Sequence, residues 1–343
     1  MTATRTTRWL ELPGAPPIPG LHARAFTDET DWERLSELII ATNLFDGVPW
    51  VPTAQNLEVE IGGADGVDPT EDIVMVELDG RVVAASGVDR VVRDGVPTYD
   101  AWGSVDPSYR RRGLGTWLLG RNLDRVRRRA ALEDPGAAVD VGSFAENAEV
   151  GHRALLAAFG FAPVRNFFLM RRNLLESIPD APLPDGLEIR RVTPDQLHRI
   201  FDAEEEAFRD HWGHRAKTES DFRATFGRAE IDTDLWVVAW DGDEIAGVVQ
   251  NWIWPLENAR LGVKRGWLEH ISVRRPCRRR GLARAITALS LDRLRETGLD
   301  EGMLGVDSEN AHGALGLYEG LGFVIHSRAA AYRRSLGDEP VLS

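Results

Sequence analysis

Apolar and polar residues alternate along two stretches of the chain in a pattern that predicts β-hairpins. The first stretch, DIVMVELDGRVVAASGVDRVV, is interrupted at Asp79-Gly80, and the second, LWVVAWDGDEIAGVVQNWIW, at Asp241-Gly242. An Asp-Gly pair between two such runs is a strong signal for a tight hairpin turn. Beyond each hairpin, another strand leads to a segment whose apolar residues recur every three or four positions, which predicts an amphipathic helix.

This order of elements occurs twice along the chain. The matched pairs are Gly20 with Gly186, Gly113 with Gly281, and Leu155–Phe161 with Leu317–Phe323. Three matched segments in the same order argue against one large irregular domain with chance similarities. We therefore expect an α/β (α+β) fold of two tandem domains, each a mixed, mostly antiparallel sheet flanked by helices.

The repeat also predicts where the domains begin and end. We assign domain 1 to residues 20–175 and domain 2 to residues 187–334, with tails at 1–19 and 335–343. Residues 176–186 contain three prolines, a composition that suits an extended linker.

Composition narrows the class of protein. At 343 residues, 43% hydrophobic and 28% charged, the chain has the profile of a soluble globular protein. It contains no run of about 20 apolar residues and no apolar leader, so we expect no membrane partner and a cytoplasmic location. Cys277 is the single cysteine, which excludes an intrachain disulfide and a cysteine metal cluster, and we expect no metal site. The net charge of −13 argues against a nucleic-acid partner.

In both copies a strand runs into an arginine-rich loop that contains glycine, and a helix follows. Such a junction presents unpaired backbone N–H groups and the positive end of the helix dipole, which together suit a phosphate. The loop has neither the Gly-Lys-Ser/Thr of a Walker A motif nor the Gly-x-Gly-x-x-Gly of a dinucleotide fold. On these residues alone, a solvated helix start rich in arginine is equally consistent.

The pattern Arg/Gln-x-x-Gly-x-Gly/Ala between a strand and a helix resembles the acetyl-CoA pyrophosphate loop of the GNAT superfamily of N-acyltransferases. It occurs at 278–283 and at 110–115. The second copy also has the later family pattern, from Asn310 through Tyr318 to Gly322-Phe323. The resemblance spans residues 20–334 and includes two fused copies of the fold.

The resemblance implies acetyl-CoA as cofactor, with its pantetheine arm pairing along strand backbone and its pyrophosphate on loop amides. The implied cofactor residues of the second copy are Ile271, Ser272, Val273, Arg278, Arg279, Arg280, Gly281, Leu282, Ala283 and Asn310, and those of the first are Arg110, Gly113 and Gly115.

Two residues of the second copy are candidates for acid–base chemistry. Strand alternation predicts that Glu269 shares an apolar face with Trp267, Ile271 and Val273, a setting where a carboxylate can act as a base. The alternative is a carboxylate in water at a frayed strand start. The resemblance places Tyr318 where the family has the acid that protonates the coenzyme A thiolate, and the alternative is a tyrosine packed in the core.

The first copy has Ala101 and Leu156 at the two corresponding positions. It therefore keeps the loop and lacks both candidate catalytic groups. We expect the chemistry in the second copy, with the first either binding acetyl-CoA or serving as a structural partner.

The acceptor is expected to be a primary amine of a small molecule. Asp210, His211 and Trp212 follow the first helix of the second copy, where the family builds a wall of the acceptor site. A turn or cap residue and ordinary core residues explain these positions equally well.

A non-catalytic acyl-CoA sensor or scaffold, and a transferase for another acyl-CoA, are the alternative functions. Two fused copies favour a monomer, with a homodimer as the alternative.

Overall fold

The computed structural model describes residues 7–63, 66–228, 231–310 and 313–337. The chain forms two compact units, divided between Val164 and Arg165 and again between Ala329 and Ala330. Unit 1 comprises the chain up to Val164 together with the segment from Ala330 onward, and unit 2 comprises Arg165–Ala329. No helix within the described ranges is long and apolar enough to cross a membrane.

Unit 1 is built on a mixed sheet with helices on both faces, as the pattern predicts. Its strands are β1 (Trp9–Leu10), β2 (Leu21–Ala25), β3 (Ile73–Leu78), β4 (Arg81–Arg93), β5 (Val96–Val105) and β6 (Asp140–Glu146), adjacent in that order. Its helices are α1 (Thr30–Asp46), α2 (Ala54–Leu57), α3 (Pro69–Asp72), α4 (Leu114–Glu133) and α5 (Val150–Ala158), with a π-helical turn at Glu58–Gly62. The pair β5 and β6 is parallel, whereas the pairs from β1 to β5 are antiparallel. The predicted hairpin turn joins β3 to β4, with positive φ at both Asp79 and Gly80.

Unit 2 repeats this plan. Its strands are β7 (Ala162–Asn173), β8 (Leu187–Arg190), β9 (Val237–Asp241), β10 (Glu244–Trp252), β11 (Arg265–Val273) and β12 (Glu301–Asp307), in the order β7-β12-β11-β10-β9-β8. Its helices are α6 (Leu197–Phe208), α7 (Glu219–Phe226), α8 (Pro255–Leu261), α9 (Leu282–Glu296) and α10 (Ala314–Gly320). One core lies between the sheet and α9 and α10, and a second lies on the α6 side with the buried Trp236 and Trp240. The mixed α/β fold predicted from the sequence is confirmed.

The last strand of the chain, β13 (Val324–Ser335), is divided between the units. Its second half lies beside β6 in the sheet of unit 1, where the Tyr332 hydroxyl accepts a hydrogen bond from Arg153 at 3.2 Å. The strand that follows α5, β7, pairs antiparallel with β12 of unit 2 over seven residue pairs. These divisions follow contacts in space, whereas the limits 20–175 and 187–334 follow the sequence repeat.

The proline-rich segments before β2 and β8 are equivalent elements of the two copies. Ala15-Pro16 and Ala181-Pro182 lie 166 positions apart. The first segment packs on the core that contains Leu114 and Trp117 of α4, and the second packs on the core that contains α9. Residues 176–186 are therefore a packed part of unit 2 as well as a connection.

Candidate active site

In the sheet of unit 2, the neighbouring strands β11 and β12 separate part of the way along their length. We call this opening the fork. Strands β11 and β12 pair only from Arg265↔Glu301 to Trp267↔Met303, so the rest of β11 has no partner on that side within the described part of the chain. Free backbone N–H and C=O groups along one edge accept an extended ligand as an added strand. Ile271, Ser272 and Val273 lie on this free stretch, and their contact with the pantetheine arm stays a prediction.

A β-bulge lies at Glu269. Gln250 pairs with His270 and Asn251 pairs with Leu268, which leaves Glu269 without an opposite residue on β10. The bulge shifts the alternation of side chains. As a result Leu268, together with Ile271 and Val273, packs on the α9 core. The predicted face of alternate residues from Trp267 to Val273 is wrong, because simple alternation assumes a strand without a bulge.

Glu269 is exposed at this bulge, and its Oε1 accepts a hydrogen bond of 3.5 Å from the Trp254 indole. The apolar surroundings expected for it are therefore absent. Glu269 lies just beyond the last paired residues of β11 and β12, at the start of the fork, and its role as a base stays a prediction.

The loop after β11 has a backbone shape that suits a bound anion, and we call this concavity the anion seat. Arg279 and Gly281 both have positive φ, at 60° and 86°, and Gly281 immediately precedes the 15-residue helix α9. Left-handed residues in such a turn aim successive N–H groups into one concavity. The space that a Cβ on Gly281 would occupy is empty to 4 Å. These features fit the pyrophosphate of acetyl-CoA, with Leu282 buried below and Ala283 in the first helical turn.

Arg278, the first arginine of the motif, connects this loop to neighbouring elements through hydrogen bonds. The Arg278 guanidinium donates to the carbonyl oxygens of Val273 and Ala207 at 3.0 and 2.9 Å, and it lies 3.4 Å from the carboxylate of Asp210. In unit 1, Arg110 donates to the Val105 carbonyl at 3.1 Å and to both oxygens of Asp46 at 2.7 Å. The same role in both copies indicates that this arginine joins the end of a strand to the end of the first helix.

Asp210 is paired with two arginines of the loop, Arg275 and Arg278. Hydrogen bonds from Arg275 and then from Arg278 lower the pKa of its carboxyl to about 2. This places the carboxylate among arginines of the phosphate loop, and its assignment to the substrate remains a prediction.

The other predicted cofactor and acceptor residues occupy separate places in unit 2. Arg280 is exposed and lies 3.3 Å from Asp241, whereas Asn310 lies in the turn after β12. His211 packs against Phe208, with ring centroids 4.6 Å apart, and Trp212 lies under Arg165 at 5.8 Å. Their cofactor and acceptor roles stay predictions.

Tyr318 lies in the α9–α10 core. Its side chain is 7% exposed, and its ring meets that of Phe323 at 5.8 Å in an edge-to-face arrangement. Burial raises the pKa of its phenol well above the usual value of 10.0. A phenol is protonated at neutral pH with or without this shift, and burial makes it a weaker acid. This location in the core also matches the alternative of a packed tyrosine, and the role of the hydroxyl stays a prediction.

A polar cluster on the α6 face of the sheet was missed by the sequence reasoning. Glu204 of α6 is 1% exposed, and its Oε2 accepts a 2.9 Å hydrogen bond from Gln250 Nε2. His270 Nδ1 lies 3.4 Å from the same oxygen, and Lys217 Nζ lies 3.9 Å from it. Glu204 is four residues after Ile200 and three before Ala207 on the buried stripe of the helix. A carboxylate in the middle of an apolar stripe was the available signal.

Unit 1 contains a cavity at the matching place. Strands β5 and β6 pair only from Thr98↔Asp140 to Asp100↔Gly142 before they separate. A cavity of about 450 Å³ fills this second fork, lined among others by Trp102, Arg110 and Gly113. Ala101 and Leu156, in place of Glu269 and Tyr318, are buried, and neither can exchange a proton.

Comparisons with known proteins agree with this geometry. The model of the acetyltransferase (GNAT) family matches residues 197–323. The mycothiol acetyltransferase of Salinispora arenicola is 30% identical over 84% of this chain and 94% of its own length, and that of Paenarthrobacter aurescens is 28% identical over 84% and 87%.

Solved structures show the same likeness. The crystal structure of a GCN5-related N-acetyltransferase from Sphaerobacter thermophilus matches with a TM-score of 0.70 and 26% identity, over 94% of this chain and 98% of that one. A tandem GNAT protein from the clavulanic acid biosynthesis pathway has the same fold, with a TM-score of 0.65 and 17% identity over 93% and 99%. The chain therefore belongs to the GNAT family of N-acetyltransferases, in its tandem two-domain form.

Proposed function

We propose that unit 2 transfers an acetyl group directly from acetyl-CoA to a primary amine of a small molecule. The observation that carries this proposal is the coincidence, in one unit, of the β11–β12 fork, the anion seat before α9 and Tyr318 on α10. Unit 1 has the fork and the loop, with Leu156 at the position that corresponds to Tyr318.

In this proposal each group has one task. Acetyl-CoA supplies the acyl group as an activated thioester. The thioester cofactor is held by the free strand edge at Ile271–Val273 and by the amides of the 278–283 loop. The bulge places Glu269 where the amine approaches. Glu269 takes a proton from the amine nitrogen, and Tyr318 gives its phenolic proton to the departing sulfur.

The charge around the fork favours a cationic acceptor. Besides Glu269, Glu204 of α6 places a carboxylate on this side of the sheet, whereas Glu205 and Glu206 are paired with His214 and Arg274. An ammonium group approaching this surface is attracted, which raises its local concentration. The name of the Salinispora and Paenarthrobacter relatives makes the amine precursor of mycothiol the first acceptor to test, followed by amino sugars, polyamines and peptide N-termini.

The experiment is release of coenzyme A by the purified chain with this panel of amines, with the product identified by mass spectrometry. A gain of one acetyl group on one amine is expected. Binding of acetyl-CoA without turnover of any amine would instead favour the sensor or scaffold alternative. We place the reaction in the cytoplasm, where the thioester is available, and a monomer is expected by size-exclusion chromatography with light scattering.

Unit 1 supports a second candidate function, which is binding without catalysis. Its cavity and its positive-φ residues Arg111 and Gly113 match the loop of unit 2. Calorimetry that gives two acetyl-CoA sites per chain would support it, and one site would assign unit 1 to a structural role.

A further inference from the structure

We infer that His270, oriented by the buried carboxylate of Glu204, is the group that removes the first proton from the acceptor ammonium. This inference rests on the proposed function and adds to it a catalytic residue and a positioning residue.

The hydrogen-bond directions on the α6 face of unit 2 fix the role of Glu204. The indole of Trp252 can only donate, and it lies 3.3 Å from Oε1 of Gln250. The amide nitrogen of Gln250 must therefore point the other way, where it donates to Glu204 Oε2 at 2.9 Å. Glu204 thus serves as an acceptor at this oxygen.

His270 faces the same oxygen. Its Nδ1 is buried, has no hydrogen bond within the described residues, and lies 3.4 Å from Glu204 Oε2. Opposite an acceptor, Nδ1 is more stable with its hydrogen than without it. The tautomer with hydrogen on Nδ1 leaves a lone pair on Nε2. Because the side chain is 32% exposed although Nδ1 is buried, the open part of the ring includes its other edge.

His270 lies on the α6 face of the sheet, from which the amine is proposed to approach the fork. The α9 face of β11 is filled by Leu268 and its neighbours, whereas His270 is on the opposite, polar face and next to Glu269. Phe208 of α6 packs against the imidazole at 6.0 Å. The charged groups beside the ring in the described part of the chain are Glu204 of α6 and Lys217 near that carboxylate, and Glu269 precedes His270 on the strand.

Unit 1 supplies an internal comparison. The pair Gly87↔Trp102 of β4 and β5 stands where unit 2 has Gln250↔His270. Trp102 covers Gly87 so closely that an added Cβ would lie 2.6 Å from its Cζ2. The unit without Glu269 and Tyr318 therefore also lacks the polar pair. Unit 1 also buries carboxylates, but Asp31 and Asp72 are paired with arginines. Glu204 instead has Gln250 and His270 beside it, and a carboxylate that is costly to bury and faces a histidine supports a functional role.

The proton balance is as follows. The ammonium gives one proton to His270 Nε2, and the freed lone pair forms the C–N bond while the C–S bond of the thioester breaks. The nitrogen gives its second proton to Glu269, and the sulfur takes the proton of Tyr318. One net proton is released to water per turnover.

The kinetic test uses His270→Gln and the matched control His198→Gln, which removes an exposed histidine that faces Glu219 at 3.6 Å. Loss of a first base matters only while the acceptor is an ammonium, which ordinarily has a pKa of about 10.4. We expect kcat/KM of His270→Gln to fall about 100-fold at pH 7, and the deficit to shrink steadily toward pH 9.5. A deficit that is the same at every pH is what a structural defect produces and would overturn the inference, as would a variant as active as the control.

A second readout does not depend on turnover. Nitrogen NMR of histidine-labelled wild-type protein is expected to show His270 with hydrogen on Nδ1, and Glu204→Leu is expected to lose this preference. Hydrogen on Nε2 in the wild type would overturn the inference. A wild-type protein that acetylates no amine would refute the proposed function and the base role together, while the tautomer still reports whether Glu204 orients the ring.

Discussion

Replacement of Tyr318 by phenylalanine separates catalysis from packing at the residue proposed to protonate the sulfur. The side chain is 7% exposed, and its hydroxyl forms no hydrogen bond with a described residue. Because no protein hydrogen bond is lost with this hydroxyl, its removal should change the stability by less than about 1 kcal/mol. Unit 2 therefore keeps its fold in this variant.

The effect on turnover is expected to be large. A positioned general acid contributes about 10²–10⁴-fold, which corresponds to roughly 2.7–5.4 kcal/mol of the barrier at 1.36 kcal/mol per decade. We expect kcat to fall at least about 100-fold, with the dissociation constant of acetyl-CoA within about twofold of wild type and Tm nearly unchanged. The assays are thiol release, calorimetry and a thermal melt.

Tyr332→Phe in unit 1 is the matched control. Its hydroxyl accepts a hydrogen bond from Arg153, so this variant should lose about 1–2 kcal/mol of stability and no activity. Full activity in Tyr318→Phe would refute the general-acid role. A drop in Tm that parallels the loss of activity would show that the tyrosine acts through packing.

Three further predictions concern the loops and the cysteine. Arg110→Met should destabilise unit 1 by about 2–4 kcal/mol in urea unfolding, because it leaves Asp46 (side chain 13% exposed) without its partner. The double variant Arg110→Met/Asp46→Leu should lose less stability than the sum of the two single variants, which would show that the pair is coupled. The lowered pKa of Asp210, about 2 in the fold against 3.8, contributes stability that is present above about pH 4 and is lost as the pH falls toward 2. The Tm of the wild type should therefore fall more steeply than that of Asp210→Asn between pH 5 and pH 2.5, and parallel curves would contradict this. Burial raises the pKa of the Cys277 thiol, so its alkylation should be slow. Cys277→Ala should keep kcat within about twofold of wild type. Rapid inactivation by iodoacetamide would argue for an exposed, functional thiol.

The sequence was sufficient to predict the fold class and the repeat. Asp79-Gly80 adopts the two positive φ values that a tight hairpin requires, and only a few residue types tolerate them. The loops at Gly113 and Gly281 take matching shapes, with φ of 87° and 86°, because the same residue pattern imposes the same turn before a helix. Local signals of this kind depend on a few neighbouring residues and are therefore readable.

The parts that were missed depend on distant pairings. The bulge at Glu269 arises from the register between β10 and β11, and a single strand does not reveal an extra residue. The assignment of β7 to unit 2 depends on its partner β12, more than 120 positions further along the chain. Glu204 was detectable as a charge on an apolar stripe, but its partner His270 is brought to it only by the packing of α6 on the sheet.

The central claim is that acetyl transfer takes place in unit 2. The most direct test compares the kcat/KM of acetyl transfer in Gly281→Val and Gly113→Val, since each valine has to adopt a φ near 86° and places a side chain in one anion seat. The account predicts a loss of at least about 100-fold for Gly281→Val and a change of less than threefold for Gly113→Val. Loss of activity in Gly113→Val, with Gly281→Val unaffected, would place the chemistry in unit 1 and contradict the account.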